Sequence, residues 1–171
     1  MNENLNVNFN TILVIVLKEL RLERNIHQAT LADICNKQAS AWNKIENGKS
    51  PLVLETLYRV CNYAFHVQPS IILATAERFA NIFAQHNYAI LYNESESEDI
   101  VLKYANQYYK MKSQQNFMQS YAPFVSILNM PCYEQNGRMV IGDVFQYCLN
   151  EIYKDENHLK INQQLNYNKG V

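Results

Sequence analysis

The stretch Gln28–Pro51, QATLADICNKQASAWNKIENGKSP, decides how the rest of the chain is read. It predicts two short helices joined by a sharp turn. The first covers Gln28 to Cys35, with Leu31 and Cys35 one turn apart on a single face. The second covers Gln38 to Asn47, with Trp42 and Ile45 on its inner side. Asn36 falls at the break, and Asn tolerates the left-handed backbone that a tight turn needs. Gly48 stands where a helix-ending glycine is expected. A helix pair of this kind is either a structural corner or a device that sets one helix in the major groove of DNA.

The flanking sequence predicts more helix on both sides. Upstream, a helix from Thr11 to about Arg24, capped by Asn10 or Thr11, turns Ile12, Val16, Leu17 and Leu20 inward. Downstream, Pro51 suits the entry to a fourth helix ending near Ala64, with Leu54, Leu57, Val60, Cys61 and Ala64 on one apolar face. Pro69 and Ser70 open a long fifth helix reaching Tyr92, with a stripe of Ile72, Ala76, Phe79, Ala80, Phe83 and Ala84. The acidic segment Asn93–Asp99 reads as a solvated loop, and its Ser95 and Glu98 have capping-box spacing. A sixth helix, Ile100 to Lys112, would bury Val101, Tyr104, Ala105 and Tyr108. Phe117–Leu128 has no decisive period, and Pro123 argues against an unbroken helix there. Asn136–Gly137 between PCYE and RMVI predicts a small β-hairpin. A last helix follows from Gly142 and Asp143, with Val144, Tyr147, Cys148 and Ile152 at helical spacing. From Lys154 the tail turns polar and Asn-rich and is expected to fray.

Composition narrows the function classes. At 171 residues, 48% of them hydrophobic and only four Gly and four Pro, the chain fits a folded, mostly helical protein. Its net charge of −1 hides a small asymmetry. Residues 1–70 hold 7 basic and 6 acidic side chains, so DNA binding there would rest on a few placed cations and no broad positive field. The four cysteines (Cys35, Cys61, Cys132, Cys148) form no C-x-x-C and read as reduced core residues of a cytoplasmic protein. With no paired histidines either, no metal or cofactor is implied. The apolar run Ile12–Leu17 is too short to span a membrane, and MNENLNVNFN does not read as a secretory leader. No Ser/His/Asp, Cys/His or Gly-rich phosphate pattern suggests an enzyme; Cys132, beside Tyr133 and Glu134, is the nearest to a nucleophile. The late concentration of tyrosines fits an aromatic core, with a partner surface as the other reading.

Several landmarks occur together in register. LKELRLERNIHQATLA carries a Gln-x-x-Leu-Ala entry at Gln28, Leu31 and Ala32; IENGK follows at Ile45–Lys49, then Pro51 and LETL at Leu54–Leu57. In these the chain, over about residues 12–68, resembles the lambda-repressor/Cro-like (XRE-type) helix-turn-helix family. The resemblance implies a five-helix DNA-binding domain over 1–68 and does not extend beyond about Arg78. There the residues themselves complete a mainly α reading, with a long connecting helix over 69–92 and a helical dimerisation or partner region with the hairpin and polar tail over 93–171. By the same resemblance, Gln28 touches the DNA backbone and braces the next helix. Gln38, Ala39, Ser40, Asn43 and Lys44 face the bases, while Asn47 and Lys49 hold phosphates. The chemistry agrees for three of them, since Lys can donate to guanine, Asn can pair with adenine and Ser can serve either. Arg21 and Glu46 match a family ion pair behind the reading surface. The chain departs from the family at Asn36 (usually Gly), at Lys37 (usually apolar) and at Trp42 (usually a medium aliphatic residue). The function implied is a DNA-binding transcription regulator, a repressor acting as a homodimer on double-stranded DNA. An antitoxin or peptide-responsive regulator whose residues 93–171 bind a protein stands as the alternative.

Overall fold

In the computed structural model the chain is mainly helical, and residues 5–93, 99–114, 126–130, 133–136, 138–141 and 143–149 are described. Packing divides the chain into two compact units, 1–130 and 131–171. The expectations for Ser95 and Glu98, for residues 115–125, for Cys132, for Ile152 and for the tail lie outside the described residues.

The first unit is built around one helix. A short strand β1 (Asn6–Asn8) runs into α1 (Phe9–Glu23). Its cap is Asn8, one turn before the expected Thr11 start, with the Asn8 Oδ1 accepting from the Asn10 amide at 2.8 Å. The expected one-sided face is also too narrow. Every residue from Thr11 to Leu17 is buried, as are Glu19, Leu20 and Arg21. The uninterrupted run ILVIVL explains this, because a helix apolar on all sides must be covered on all sides. α1 packs against α3 (Ala39–Glu46), α5 (Pro69–Gln85), α6 (Ile100–Gln114) and a single 3-10 turn, Ile127–Asn129. From α5, Ile72, Ala76, Phe79 and Phe83 are fully buried. Glu23 fixes the 3-10 turn, accepting from the Ser126 hydroxyl at 2.5 Å and the Ile127 amide at 2.9 Å.

α5 ends at Gln85 and does not reach Tyr92. The cause is a strand, β2 (Ala89–Leu91), which pairs in parallel with β1 across the register Asn6–Ala89, Val7–Ile90 and Asn8–Leu91. Ala84 is exposed, so it drops out of the expected stripe. In α4 (Leu54–Val60) the helix begins three residues after Pro51, and Leu54 points outward while Thr56, Leu57 and Val60 face in. The last turn, Cys61–Phe65, widens into a π turn, burying Cys61 and Phe65. Tyr104 of α6 is only half-buried, although Val101, Ala105 and Tyr108 are buried as expected.

Helix ends follow one pattern. After α1, α2 (Gln28–Ile34), α3 and α5, the chain turns through a left-handed residue: Asn25 (φ 53°), Asn36 (53°), Gly48 (69°) and Asn87 (64°). In each case that residue's own amide and the next one return to the helix, as in Asn36 N–H to the Asp33 carbonyl and Lys37 N–H to the Ala32 carbonyl at 3.0 and 2.8 Å. This closure satisfies carbonyls that a helix end otherwise leaves open. At α5 the aromatic contact that accompanies the motif is present too, with the Phe83 and Tyr88 rings edge to face at 5.1 Å. Gly48 differs in one respect: a β-carbon there would lie 2.6 Å from the Leu102 side chain of α6.

In the second unit, β3 (Tyr133–Gln135) and β4 (Arg138–Val140) form the expected antiparallel hairpin, with Asn136 left-handed at φ 53°. α7 (Asp143–Leu149) buries Val144, Tyr147 and Cys148 on one side, together with Phe145 and Leu149.

Candidate nucleic-acid interface

α3 has two unlike faces, and its sequence sets both. Trp42, Ile45 and Glu46 are buried, whereas Gln38, Ala39, Ser40, Asn43 and Lys44 are exposed. The spacing 39–43–47 and 40–44 places the outward residues in two adjacent rows on one side of the helix. Gln38 is the residue before α3, with no side-chain cap bond, in keeping with its weak capping chemistry. Lys37 and Lys49 are exposed at the two ends, and Asn47 is half-buried.

The buried face is held by a single carboxylate. Glu46 accepts from Arg21 Nε at 2.5 Å and Nη2 at 2.9 Å, from Gln28 Nε2 at 2.6 Å and from Trp42 Nε1 at 2.8 Å. Arg21 also donates through Nη1 to the Ile26 carbonyl at 3.0 Å. Burial pushes the Glu46 carboxyl up, but the Arg21 hydrogen bond and charge, joined by Gln28 and Trp42, outweigh it and hold the group below the ordinary carboxylate range. One ion pair and two neutral donors thus tie α1, α2 and α3 together.

This arrangement changes the meaning of the local charge. From Asn36 to Leu54 there are three lysines and one carboxylate, Glu46. Because Glu46 is buried and paired to Arg21, the solvent meets Lys37, Lys44 and Lys49 without a carboxylate among them. The exposed charges from Asn36 to Leu54 are thus three lysines, with the exposed carboxylates Asp33 and Glu55 just outside that span.

The structure places the remaining sequence-selected residues as follows. Gln28 braces α3 through Glu46, so one amide hydrogen is already committed inward. Asn43 and Asn47 are bonded to each other, the Asn47 amide donating to the Asn43 side-chain oxygen. For Asn43 to pair with adenine by both its oxygen and its nitrogen, Asn47 must let go. Trp42 was read only as a repacked core residue. Its indole N–H is a donor to Glu46, a role signalled by the four-residue spacing and by the need of a buried indole for a partner.

Sequence reasoning missed Asp99. Its Oδ2 accepts from the Asn8 amide at 2.9 Å and the Thr11 hydroxyl at 2.7 Å, and its Oδ1 caps α6 through the Leu102 amide at 2.9 Å. It lies at the edge of an open cleft of about 510 Å³ that Lys49 and Ser50 also line. α6 is joined to α1 a second time, where Lys18 Nζ lies 3.8 Å over the Tyr109 ring and the Tyr109 hydroxyl donates to Glu19 at 2.6 Å. Burial holds the Lys18 ammonium below the ordinary lysine value, against the pull of Glu46.

Cys35, Cys61 and Cys148 are buried free thiols, and burial pushes Cys61 up to about 11 and Cys35 up as well, so both stay protonated and unreactive near neutrality. Among the described residues no group of His, Cys, Asp and Glu can hold a metal ion, and no helix is long and apolar enough to cross a membrane. No protein-family model, curated protein or solved structure matches the chain.

Proposed function

We propose that the chain is a sequence-specific DNA-binding transcription regulator with a lambda-repressor/Cro-like head, acting as a homodimeric repressor on a palindromic operator. The observation that carries this reading is the two-faced α3, whose only carboxylate is buried while Lys37, Lys44 and Lys49 stay exposed around it. An exposed helix held by its inner face has the rigidity that base reading requires, because the side chains that discriminate must not also position the helix. In this mechanism α3 enters the major groove. Lys44 donates to guanine O6 or N7, Ser40 bonds either partner, Ala39 touches a thymine methyl, and Asn43 reads adenine on release from Asn47. Lys37 and Lys49 meet phosphates and supply affinity without sequence preference. Repression follows from occupancy of an operator that overlaps a promoter.

Selection of duplexes from a random pool, followed by binding at several salt concentrations, tests this. Wild type is expected to enrich a palindrome, and Lys44→Ala with Asn43→Ala to relax the preference, at about 1–3 kcal/mol for each lost base contact. Lys49→Ala should weaken all sequences alike and make the salt dependence shallower by about one unit per head. An unenriched pool, or a double variant that selects the wild-type sequence equally well, overturns the reading.

A further inference from the structure

α4 carries an uncovered apolar row. Leu54 is 66% exposed, Tyr58 49% and Tyr63 69%, with Val53 at 50% just before them. Leu54 and Tyr58 are one α turn apart. Tyr63 is exposed in the π turn, four residues beyond Arg59 on the flank of the row. Contiguous apolar surface of this kind on a folded chain marks a contact.

We propose that this row is where a second copy of the chain docks, with the two α4 helices antiparallel across a two-fold axis near Tyr58. The charges beside the row argue for a copy of the same chain. Glu55 and Arg59 lie together on one flank, four residues apart and bonded at 2.9 Å. A two-fold that reverses α4 keeps that flank on the same side and brings each Glu55 opposite the partner copy's Arg59. A parallel pair would place the two flanks on opposite sides and match nothing. In the same geometry Tyr58 packs beside its own counterpart. The exposed part of Val53, Leu54 and Tyr58 offers roughly 300 Å² per copy, against about 800 Å² for a standard stable interface. The pairing is therefore a weak, micromolar one that an operator with two half-sites reinforces. Val53 follows Lys49 by four residues, at most about 14 Å of chain, so the contact lies close behind the proposed reading surface. The inference supplies the contact for the homodimer of the proposed function and rests on that reading for its purpose, though not for its geometry.

Sedimentation velocity of the full chain, alone and with a selected duplex, tests it. Wild type is expected to self-associate in the micromolar range. Glu55→Arg alone, or Arg59→Glu alone, sets like charges face to face and should weaken dimerisation by more than about tenfold. An equimolar mixture of those two variants should recover the dimer, since every facing pair is then of opposite sign. Recovery in trans cannot come from repaired folding, and thermal melts of each variant check the fold separately. Leu54→Ser with Tyr58→Ser should abolish association. A wild type that stays monomeric on and off DNA, a dimer indifferent to both reversals, a mixture that fails to recover, or a complex formed only with a different protein overturns the proposal. The two readings fail differently. A dimer that enriches no duplex removes the regulator and leaves this contact standing; a monomer that reads single half-sites does the reverse.

Discussion

The two ends of α1 are fastened by carboxylates of opposite character. At its C-terminal end, Glu46 of α3 binds a cation, Arg21, and collects Gln28 and Trp42 besides. At its N-terminal end, Asp99 binds no cation among these contacts and takes the Asn8 amide, the Thr11 hydroxyl and the Leu102 amide. The first is a buried ion pair, whose loss on one side strands the other. The second uses the partial positive ends of two helices, α1 and α6, which meet at the same side chain. The difference teaches that a helix can be anchored by a counterion or by neutral donors, and that removing the carboxylate strands a charge only in the first case.

Removing one partner at each end should separate the two modes. Glu46→Ala leaves Arg21 buried and unpaired and should cost about 3–5 kcal/mol in urea unfolding. Replacing both residues, Arg21→Met with Glu46→Leu, should recover much of that loss. If the double replacement costs as much as the single, the anchor is not an ion pair in the energetic sense. The sign of the pH effect follows from the depressed carboxyl: its stabilisation is complete above the unfolded value, about 4.3, and fades as pH falls through the lower folded value. The gap between wild type and the double replacement should accordingly be flat near neutrality and close only in strong acid.

At the other end, Asp99→Ala should cost less, about 1–3 kcal/mol, because a cap is lost and two neutral donors, the half-buried Asn8 amide and the buried Thr11 hydroxyl, lose their acceptor without stranding a charge. A loss equal to that of Glu46→Ala would erase the distinction between the two ends. The smallest effects come from single neutral donors. Trp42→Phe should cost about 1–2 kcal/mol and Thr11→Val about 1 kcal/mol or less, both read from thermal melts. Reversal of that order would mean that Asp99 is the more deeply committed carboxylate.

Legibility in the sequence followed the range of the interaction. The α2–α3 pair, the turn at Asn36 and the closing Gly48 were visible because each rests on residue type and local spacing, whereas the Arg21–Glu46 pair, 25 positions apart, was reached only through the family resemblance. The hairpin at Asn136 was visible from residue type and local spacing too. The early end of α5 was not. Three residues at 6–8 pair with three at 89–91, and neither segment is long enough to show a strand period, while Ala, Phe and Ile continue to favour helix up to that point. Asp99 was hidden inside an acidic run that reads as solvated, since only a partner some 90 positions away distinguishes it from its neighbours. At the candidate site, the inner face of α3 was legible from helical spacing, and the outward set came from alignment with the family. The Asn43–Asn47 bond and the Trp42 donor were not legible, because each depends on side-chain geometry that spacing alone does not fix.

The left-handed helix ends carry a final lesson about glycine in a chain with only four. Asn25, Asn36 and Asn87 hold the same backbone shape as Gly48, so shape alone does not select glycine here. What singles out position 48 is the Leu102 side chain, which occupies the space that any β-carbon would take. In a sequence that spends asparagine on its turns, glycine becomes a proximity marker: it records where another helix comes down on the turn. The turn that follows the proposed reading helix is therefore met by α6 at Gly48, while Lys49 and Ser50 beside it line an open cleft.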